Sequence, residues 1–331
     1  MNAPFGEAPA HPLAAFGLDM LARGAARLRG DRPAIAEAGP GSRADALTYR
    51  ELDELIAAFA MRAAECGLRP GDRAIIVGAQ RIGVVAAIFG ALAAGVEPVV
   101  APAHAGPGAL AFLAQATGAT ALFAPVAFGP LDLEAVMLEA AADAPEIRFI
   151  GSLGPGEADG AIDFSPFGLA EVAAATAAPA RRADPPRIGL VVQPDQKAPR
   201  ATFITQGALV AQGLEVVSAL NLRPDRALVS TLSAASLAGL VCGPVAALLS
   251  GAPLALFGPF EATGLAALLE RNRPATLVAP AALAEDFSAA GLYTGLDRLV
   301  LAGHAPLRPV RAPCPVVSVA ADTEGRIAIA A

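Results

Sequence analysis

A chain of 331 residues is long enough for two α/β subdomains, or one large one, with well-buried cores. It is 55% hydrophobic with a formal net charge of −7, which excludes the electrostatic footprint of a nucleic-acid-binding or anionic-membrane-binding protein. Its three cysteines (Cys66, Cys242, Cys314) lie far apart and form neither a CxxC motif nor a disulfide framework, as expected for a reducing cytoplasm.

The N-terminal MNAPFGEAPAHPLAAFG has no basic segment leading into an apolar one, so no secretory signal is expected and the chain reads as cytoplasmic. Thr48 is placed to cap a helix, with Glu51 three residues on to complete a capping box. That helix ends at Gly67, and Arg69-Pro70-Gly71-Asp72-Arg73 turns the chain into a buried strand over 73–77. A helix over 82–94, a strand over 96–101, a helix over 109–117 and a strand over 119–124 follow. A helix over 131–142 and a strand over 147–150 complete the first half. The run EVAAATAAPARRADPP (171–186) reads as a linker.

Beyond the linker the alternation restarts. Strands are predicted over 187–192, 226–230, 253–257, 275–279 and 297–301, and helices over 205–220, 235–250, 262–272 and 281–290. Pro315 to Ala320 and a small hairpin-like end over 323–329 close the series. Continuous apolar strands alternating with helices predict an α/β fold with mostly parallel sheets covered by helices. The expected organisation is one subdomain over 1–170, a linker, and a second over 187–331. Residues 227–260 carry no charge and approach the hydropathy of a membrane span. Gly243-Pro244 and Gly251-Ala252-Pro253 split them, so a buried helix and strand are expected instead, and no membrane span.

Candidate chemistry concentrates in VVQPDQKAPRATFITQGAL (191–209), where a strand runs into a polar loop and then a helix. This is the layout of a phosphate-binding loop, yet no glycine stands between Gly189 and Gly207. Lys197 is the only lysine in the chain. His11, His104 and His304 are scattered, so no His/Cys metal site is expected. GxGxxG after a strand, GxxxxGK[ST], HExxH and GxSxG are all missing from the sequence, and Cys242 reads as a buried apolar residue.

The segment LTYRELDELIAAFAMRAAECGLRPGDRAIIVGAQ (47–80), followed by IFGALAAGVEPVVA (88–101), resembles the start of the adenylate-forming (AMP-binding, acyl-CoA synthetase) superfamily. PATLVAPAALAEDF (274–287), LDRLVLAGHAPL (296–307) and VVSVAADTEGR (316–326) resemble its later segments. His304 stands for a glycine there, and only Thr323 and Glu324 remain of a YGxTE pentapeptide. The resemblance implies the family's N-terminal domain, with layers in the order αβαβα. In the family the first half leads into a loop close to TSGTTGxPKG, then V-x-x-[ST]-H. On this chain Pro199, Arg200 and Ala201 take the proline, lysine and glycine slots, and Thr205 and Gln206 the hydroxyl and histidine slots. TSGTTG falls on residues 192–197, so each of its glycines and hydroxyls is replaced. Pro194 removes a backbone donor. Asp195 brings a negative charge toward a triphosphate, at a cost on the order of 4 kcal/mol at about 4 Å and an effective dielectric of roughly 20. Lys197 and Arg200 offset part of it.

By resemblance, Lys197, Arg200, Thr205, Gln206 and Thr323 are vestigial nucleotide-binding positions. Glu324 is the vestigial Mg²⁺ position, and His104, Gly303 and His304 flank the acyl pocket. The family's ribose aspartate, hinge and catalytic lysine lie beyond the Thr-Glu segment, so its small C-terminal catalytic domain is expected to be absent from this chain. Three readings follow: a degenerate binding protein that has lost adenylation; an acyl-CoA ligase-like enzyme completed by a separate chain, using ATP or AMP with Mg²⁺; or a structural subunit. A protein partner or homo-oligomer is expected through the face such a domain would leave.

Overall fold

The computed structural model describes residues 17–40, 46–154, 158–170, 185–193, 198–304 and 310–330. Helix α1 (Leu18–Arg29) leads into β1 (Pro33–Ala38), β2 (Ala46–Thr48) and α2 (Tyr49–Glu65). Then come β3 (Arg73–Gly78), α3 (Ile82–Ala94), β4 (Glu97–Pro102), α4 (Pro107–Thr117) and β5 (Ala119–Ala124). A hairpin of β6 (Ala127–Phe128) and β7 (Leu131–Asp132) precedes α5 (Leu133–Asp143), β8 (Phe149–Ser152), β9 (Ile162–Asp163) and α6 (Pro166–Ala170). The capping box forms as expected: Glu51 N–H donates to Thr48 Oγ1 at 3.2 Å, and Thr48 N–H donates to Glu51 Oε2 at 2.7 Å.

Downstream lie β10 (Ile188–Gln193), β11 (Arg200–Ile204), α7 (Gln206–Leu220), β12 (Ala227–Ser230), α8 (Leu237–Leu240) and α9 (Ala246–Ser250). β13 (Leu254–Phe257), α10 (Ala262–Arg271), β14 (Ala275–Pro280), α11 (Ala284–Ala289), β15 (Arg298–His304), β16 (Val316–Ala321) and β17 (Ile327–Ala330) complete the fold. The helix expected over 235–250 is interrupted between α8 and α9 by a π-helical turn, Val241–Val245, with Pro244 inside it. Proline has no N–H for the Leu240 carbonyl, so the helix widens there rather than continuing unbroken. The uncharged stretch 227–260 is thus a strand, a broken buried helix and another strand. Among the described residues no helix is long and apolar enough to cross a membrane.

Seven strands form one sheet in the order β11-β10-β4-β3-β5-β8-β9, and eight form another in the order β17-β16-β15-β14-β12-β13-β1-β2. Both are parallel except at their edges, where β11, β17 and β2 pair antiparallel with their neighbours. Period-two alternation sends successive side chains of one strand to different cores. Ala74 and Ile76 join a central cluster with α2, α3 and α7, while Ile75 and Val77 pack under α4 and α5. In the larger sheet Leu254 and Leu256 face the same central cluster, and Ala255 and Phe257 face α10 and α11. The layers are therefore helix, sheet, helix, sheet, helix.

The sheets do not follow a division at 171–186. β1 and β2, from the first half, join the eight-stranded sheet through the Ile35–Leu254 register, and β10 and β11, from the second half, join the seven-stranded one through Gly189–Val99. Alternation of strands and helices reports that a sheet exists but not which strands share it. Of the linker, residues 171–184 lie outside the described residues, as do Lys197 and the rest of loop 194–197.

Candidate binding cleft

The C-terminal ends of strands from both sheets converge on one cleft of about 450 Å³. Gly78 ends β3, Pro102 ends β4, Leu190 and Val191 lie on β10, Gly303 is the penultimate residue of β15 and Ala321 closes β16. The space outside the carboxyl ends of parallel strands is where open α/β sheets bind ligands, because each chain turns away there toward its helix. The loop between β12 and α8 brings Leu232, Ser233, Ala235 and Ser236 into the wall. A Cβ on Gly78 would stand 2.4 Å from Ala235 Cβ and 2.9 Å from Ser233 Oγ, so only glycine lets this loop close against β3.

Most of the cleft's polar groups are already engaged in building it. Gln80 Nε2 donates to the Thr231 carbonyl at 2.8 Å, and Ser233 Oγ accepts from Ala235 N–H at 3.1 Å. Ser236 caps α8, accepting from Gly239 N–H at 3.0 Å and donating to the Ser233 carbonyl at 3.0 Å. Asp322 Oδ1 accepts from Glu324 N–H at 2.9 Å and Arg326 N–H at 2.8 Å, while Oδ2 pairs with Arg326 Nε at 3.2 Å. The lining is otherwise Ala, Leu, Pro, Val, Gly and Phe, with exposed His104 at the mouth.

The turn 322–326 and the start of β17 are clamped to β11 and α7. Thr202 Oγ1 donates to the Thr323 carbonyl at 2.9 Å, and Gln212 binds it twice: Nε2 to the Gly325 carbonyl at 3.1 Å and Oε1 from Ile327 N–H at 3.0 Å. Gly325 has φ +86°, and a Cβ there would meet Ile204 Cγ1 at 2.6 Å. The Glu324 carboxylate is paired with Arg326 Nη2.

Over this geometry, residues 21–195, more than half the chain, match the family model described as AMP-binding enzyme. The chain belongs to the AMP-binding enzyme family. Among solved structures it is similar to the apo form of MbtA from Mycobacterium smegmatis (TM-score 0.77, 23% identity, 95% of this chain and 58% of that one). It is also similar to acetoacetyl-CoA synthetase from Streptomyces lividans (TM-score 0.75, 21% identity, 93% and 52%). A third is the anthranilate CoA ligase AuaEII in complex with anthranoyl-AMP (TM-score 0.76, 16% identity, 93% and 60%). These identities carry the fold alone, and the chain spans a little over half the length of these proteins. No curated protein matches it.

In this AMP-binding fold the positions singled out in the sequence fall into two groups. His104, Gly303, Arg200, Thr323 and Glu324 lie at the cleft end. Arg200 opens β11 opposite Gln193, and Thr202, two residues along, touches Thr323. His304 ends β15, and its side chain is outside the described residues, like Lys197. Thr205 and Gln206 lie at the far end of β11, about 16 Å away at the rise of an extended strand. There Thr205 caps α7, accepting from Ala208 N–H at 3.2 Å. Gln206 is buried between the Leu18 N–H, at 2.7 Å, and the Pro186 carbonyl, at 2.9 Å, an architectural tie. Among the described residues no group of His, Cys, Asp and Glu is placed to hold a metal ion. Burial pushes the Cys242 thiol up to about 12, which keeps it protonated and unreactive.

Sequence reasoning missed the cleft wall built by Gln80, Ser233, Ser236 and Phe128. The Ser-x-x-Ser spacing before an apolar run is an N-cap signal that would have found the loop at 233–236. No local pattern announces Phe128.

Proposed function

We propose that this AMP-binding family member binds a compact, mainly apolar acyl group in the cleft and has lost ATP-dependent activation of it, acting as a binding or partner subunit. The observation that carries the reading is a contrast at one place in the fold. The apolar cleft is complete at the carboxyl ends of both sheets, while in the turn beside it the Glu324 carboxylate is spent on Arg326 and the Thr323 backbone on Thr202. Glu324 is tied to Arg326, which occupies the carboxylate that a Mg²⁺ would need, and the Thr323 backbone carbonyl is tied to Thr202. The loop between β10 and β11 offers Pro194 and Asp195 where backbone donors and hydroxyls are needed. These residues do not fit Mg-ATP. The fold neighbour bound to anthranoyl-AMP carries an aromatic acyl group, a body of the chemistry this cleft would accept.

Calorimetric titration of the purified chain with Mg-ATP, paired with pyrophosphate release over a panel of carboxylic acids, tests the reading. No binding heat for Mg-ATP and no pyrophosphate are expected, with measurable heat for apolar acyl compounds. Tight Mg-ATP binding, or acid-dependent pyrophosphate release by the chain or a complex purified with it, overturns the loss of activation.

A further inference from the structure

Phe128, the one aromatic side chain in the cleft wall among the described residues, reaches it from an unusual direction. It sits on the β6–β7 hairpin beyond the carboxyl end of β5, where Ala127 pairs with Asp132 and Phe128 with Leu131. The hairpin is held from outside. Gly129, at φ +60°, faces Pro259, and a Cβ there would stand 3.2 Å from Pro259 Cβ and Cγ. From behind, the Arg81 guanidinium carbon lies 5.7 Å from the Phe128 ring centroid.

Arg81 is itself fixed. The residue is 5% exposed, and its Nη1 pairs with Glu37 Oε2 at 3.3 Å. Glu37 Oε1 also accepts from Ile82 N–H at 2.5 Å, so one carboxylate from β1 of the larger sheet holds both the first turn of α3 and the arginine that precedes it. Arg81 Nε has no hydrogen-bond partner among the described residues. A buried guanidinium left partly unsatisfied is costly, and the aromatic face of Phe128 is its neighbour on the cleft side. Phe128 also packs against both the central core and the core under α4 and α5, so its ring has little freedom to swing away.

We infer that Phe128 is the end wall of the cleft and sets the size of the acyl group admitted, with Arg81 and Glu37 as positioning residues behind it. This rests on the reading of the cleft as an acyl-binding site, and it adds which residue selects among acyl groups. Shortening the ring opens the wall to further methylenes, and each methylene buried raises affinity about fourfold.

The test is calorimetric binding of butyrate, octanoate and myristate, and of their N-acetylcysteamine thioesters, to the wild-type chain and to Phe128→Ala and Phe128→Leu. Phe128→Ala is expected to raise the ratio of long-chain to short-chain affinity about fifteenfold, the worth of two further buried methylenes. Phe128→Leu, which keeps apolar contact with both cores and stands in if the alanine variant fails to fold, is expected to raise it about threefold. Arg81→Met is expected to move the ratio in the same direction, and Arg81→Lys to restore it. A merely structural loss would lower all affinities together and leave the ratio alone. Wild-type binding with a ratio unchanged in the Phe128 variants overturns the inference and leaves the acyl-binding reading standing. A wild-type chain that binds none of the probes overturns both.

Discussion

The two ends of the seven-stranded sheet are built on opposite principles. At the amino ends of β3, β4 and β10, charge is abundant and consumed internally. Glu97 Oε2 pairs with Arg73 Nε at 2.9 Å, and Glu97 Oε1 with Arg187 Nε at 3.0 Å. The two guanidinium carbons lie 4.9 and 5.2 Å from the Phe203 ring centroid, so both cations sit over one ring. At the carboxyl ends, the cleft is apolar and its polar atoms serve turns and caps. A charged cluster draws attention in a sequence, but here its partners are one another.

The largest expected effect breaks the amino end. Glu97 has a side chain 14% exposed and faces two arginines, so Glu97→Ala leaves two guanidiniums short of their partner. A loss of about 2.5 kcal/mol is expected in urea unfolding, below that for a fully buried pair because solvent screens the half-exposed Arg187, with ligand affinity at the distant cleft unchanged in the folded fraction. Burial raises the Glu97 pKa, but hydrogen bonds from Arg187 and Arg73 outweigh it and hold the carboxyl below its ordinary value of 4.5. A depressed carboxylate contributes fully above 4.5, and that contribution is lost as pH falls through the lower folded value. The wild-type stability curve is therefore expected to drop on the acid side more steeply than that of Glu97→Ala. Equal acid limbs would show that the pair contributes nothing.

A smaller loss of stability with a large loss of binding is expected at the other end. Gly78→Ala places a Cβ where Ala235 Cβ lies 2.4 Å away, forcing the 232–236 loop off β3. Overpacking of this kind costs about 2 kcal/mol. Because the displaced loop is cleft wall, affinity for octanoate is expected to fall at least tenfold, the reverse of the Glu97→Ala pattern. Unfolding by urea and calorimetric binding on the same two variants would separate the ends, and a Gly78→Ala chain that binds normally would remove the loop from the site.

The elements of this fold are more legible in sequence than their assembly. The helix at 82–94 and the strand at 119–124 have the bounds that apolar runs and terminal glycines predict, because those signals are local. Local signals fail where the partner is remote. β1 is a short segment with a glutamate, and it becomes a strand by pairing with Leu254 to Phe257. Pro244 widens a helix that hydropathy reads as continuous. His104 and Gly303, the positions that family resemblance singles out, line the cleft. Gln206 was placed at a nucleotide and instead ties α7 to α1, since register along a loop says nothing of which end of a strand a residue occupies. Arg81 and Glu37 meet across 44 residues of sequence, a relation that only the packing of β1 beside α3 creates.

The smallest effect concerns a feature belonging to neither end, which makes it a control for both. Thr48 and Glu51 satisfy two otherwise orphaned N–H groups at the start of α2, a helix whose apolar face (Leu52, Ile56, Phe59 and Ala63) is fully within the central core. Tertiary packing rather than the cap supplies most of the helix's stability. Thr48→Ala is accordingly expected to cost only about 1 kcal/mol by thermal or urea unfolding at neutral pH, and to leave binding at the cleft as it is. A loss several times larger would mean that the cap organises β2 and the adjoining edge of the larger sheet as well. Thr48 ends β2, and its carbonyl side leads directly into the helix, so the two elements share that residue. Restoring stability with Thr48→Ser but not with Thr48→Val, which keeps the shape and loses the hydroxyl, would assign the effect to the hydrogen bond itself.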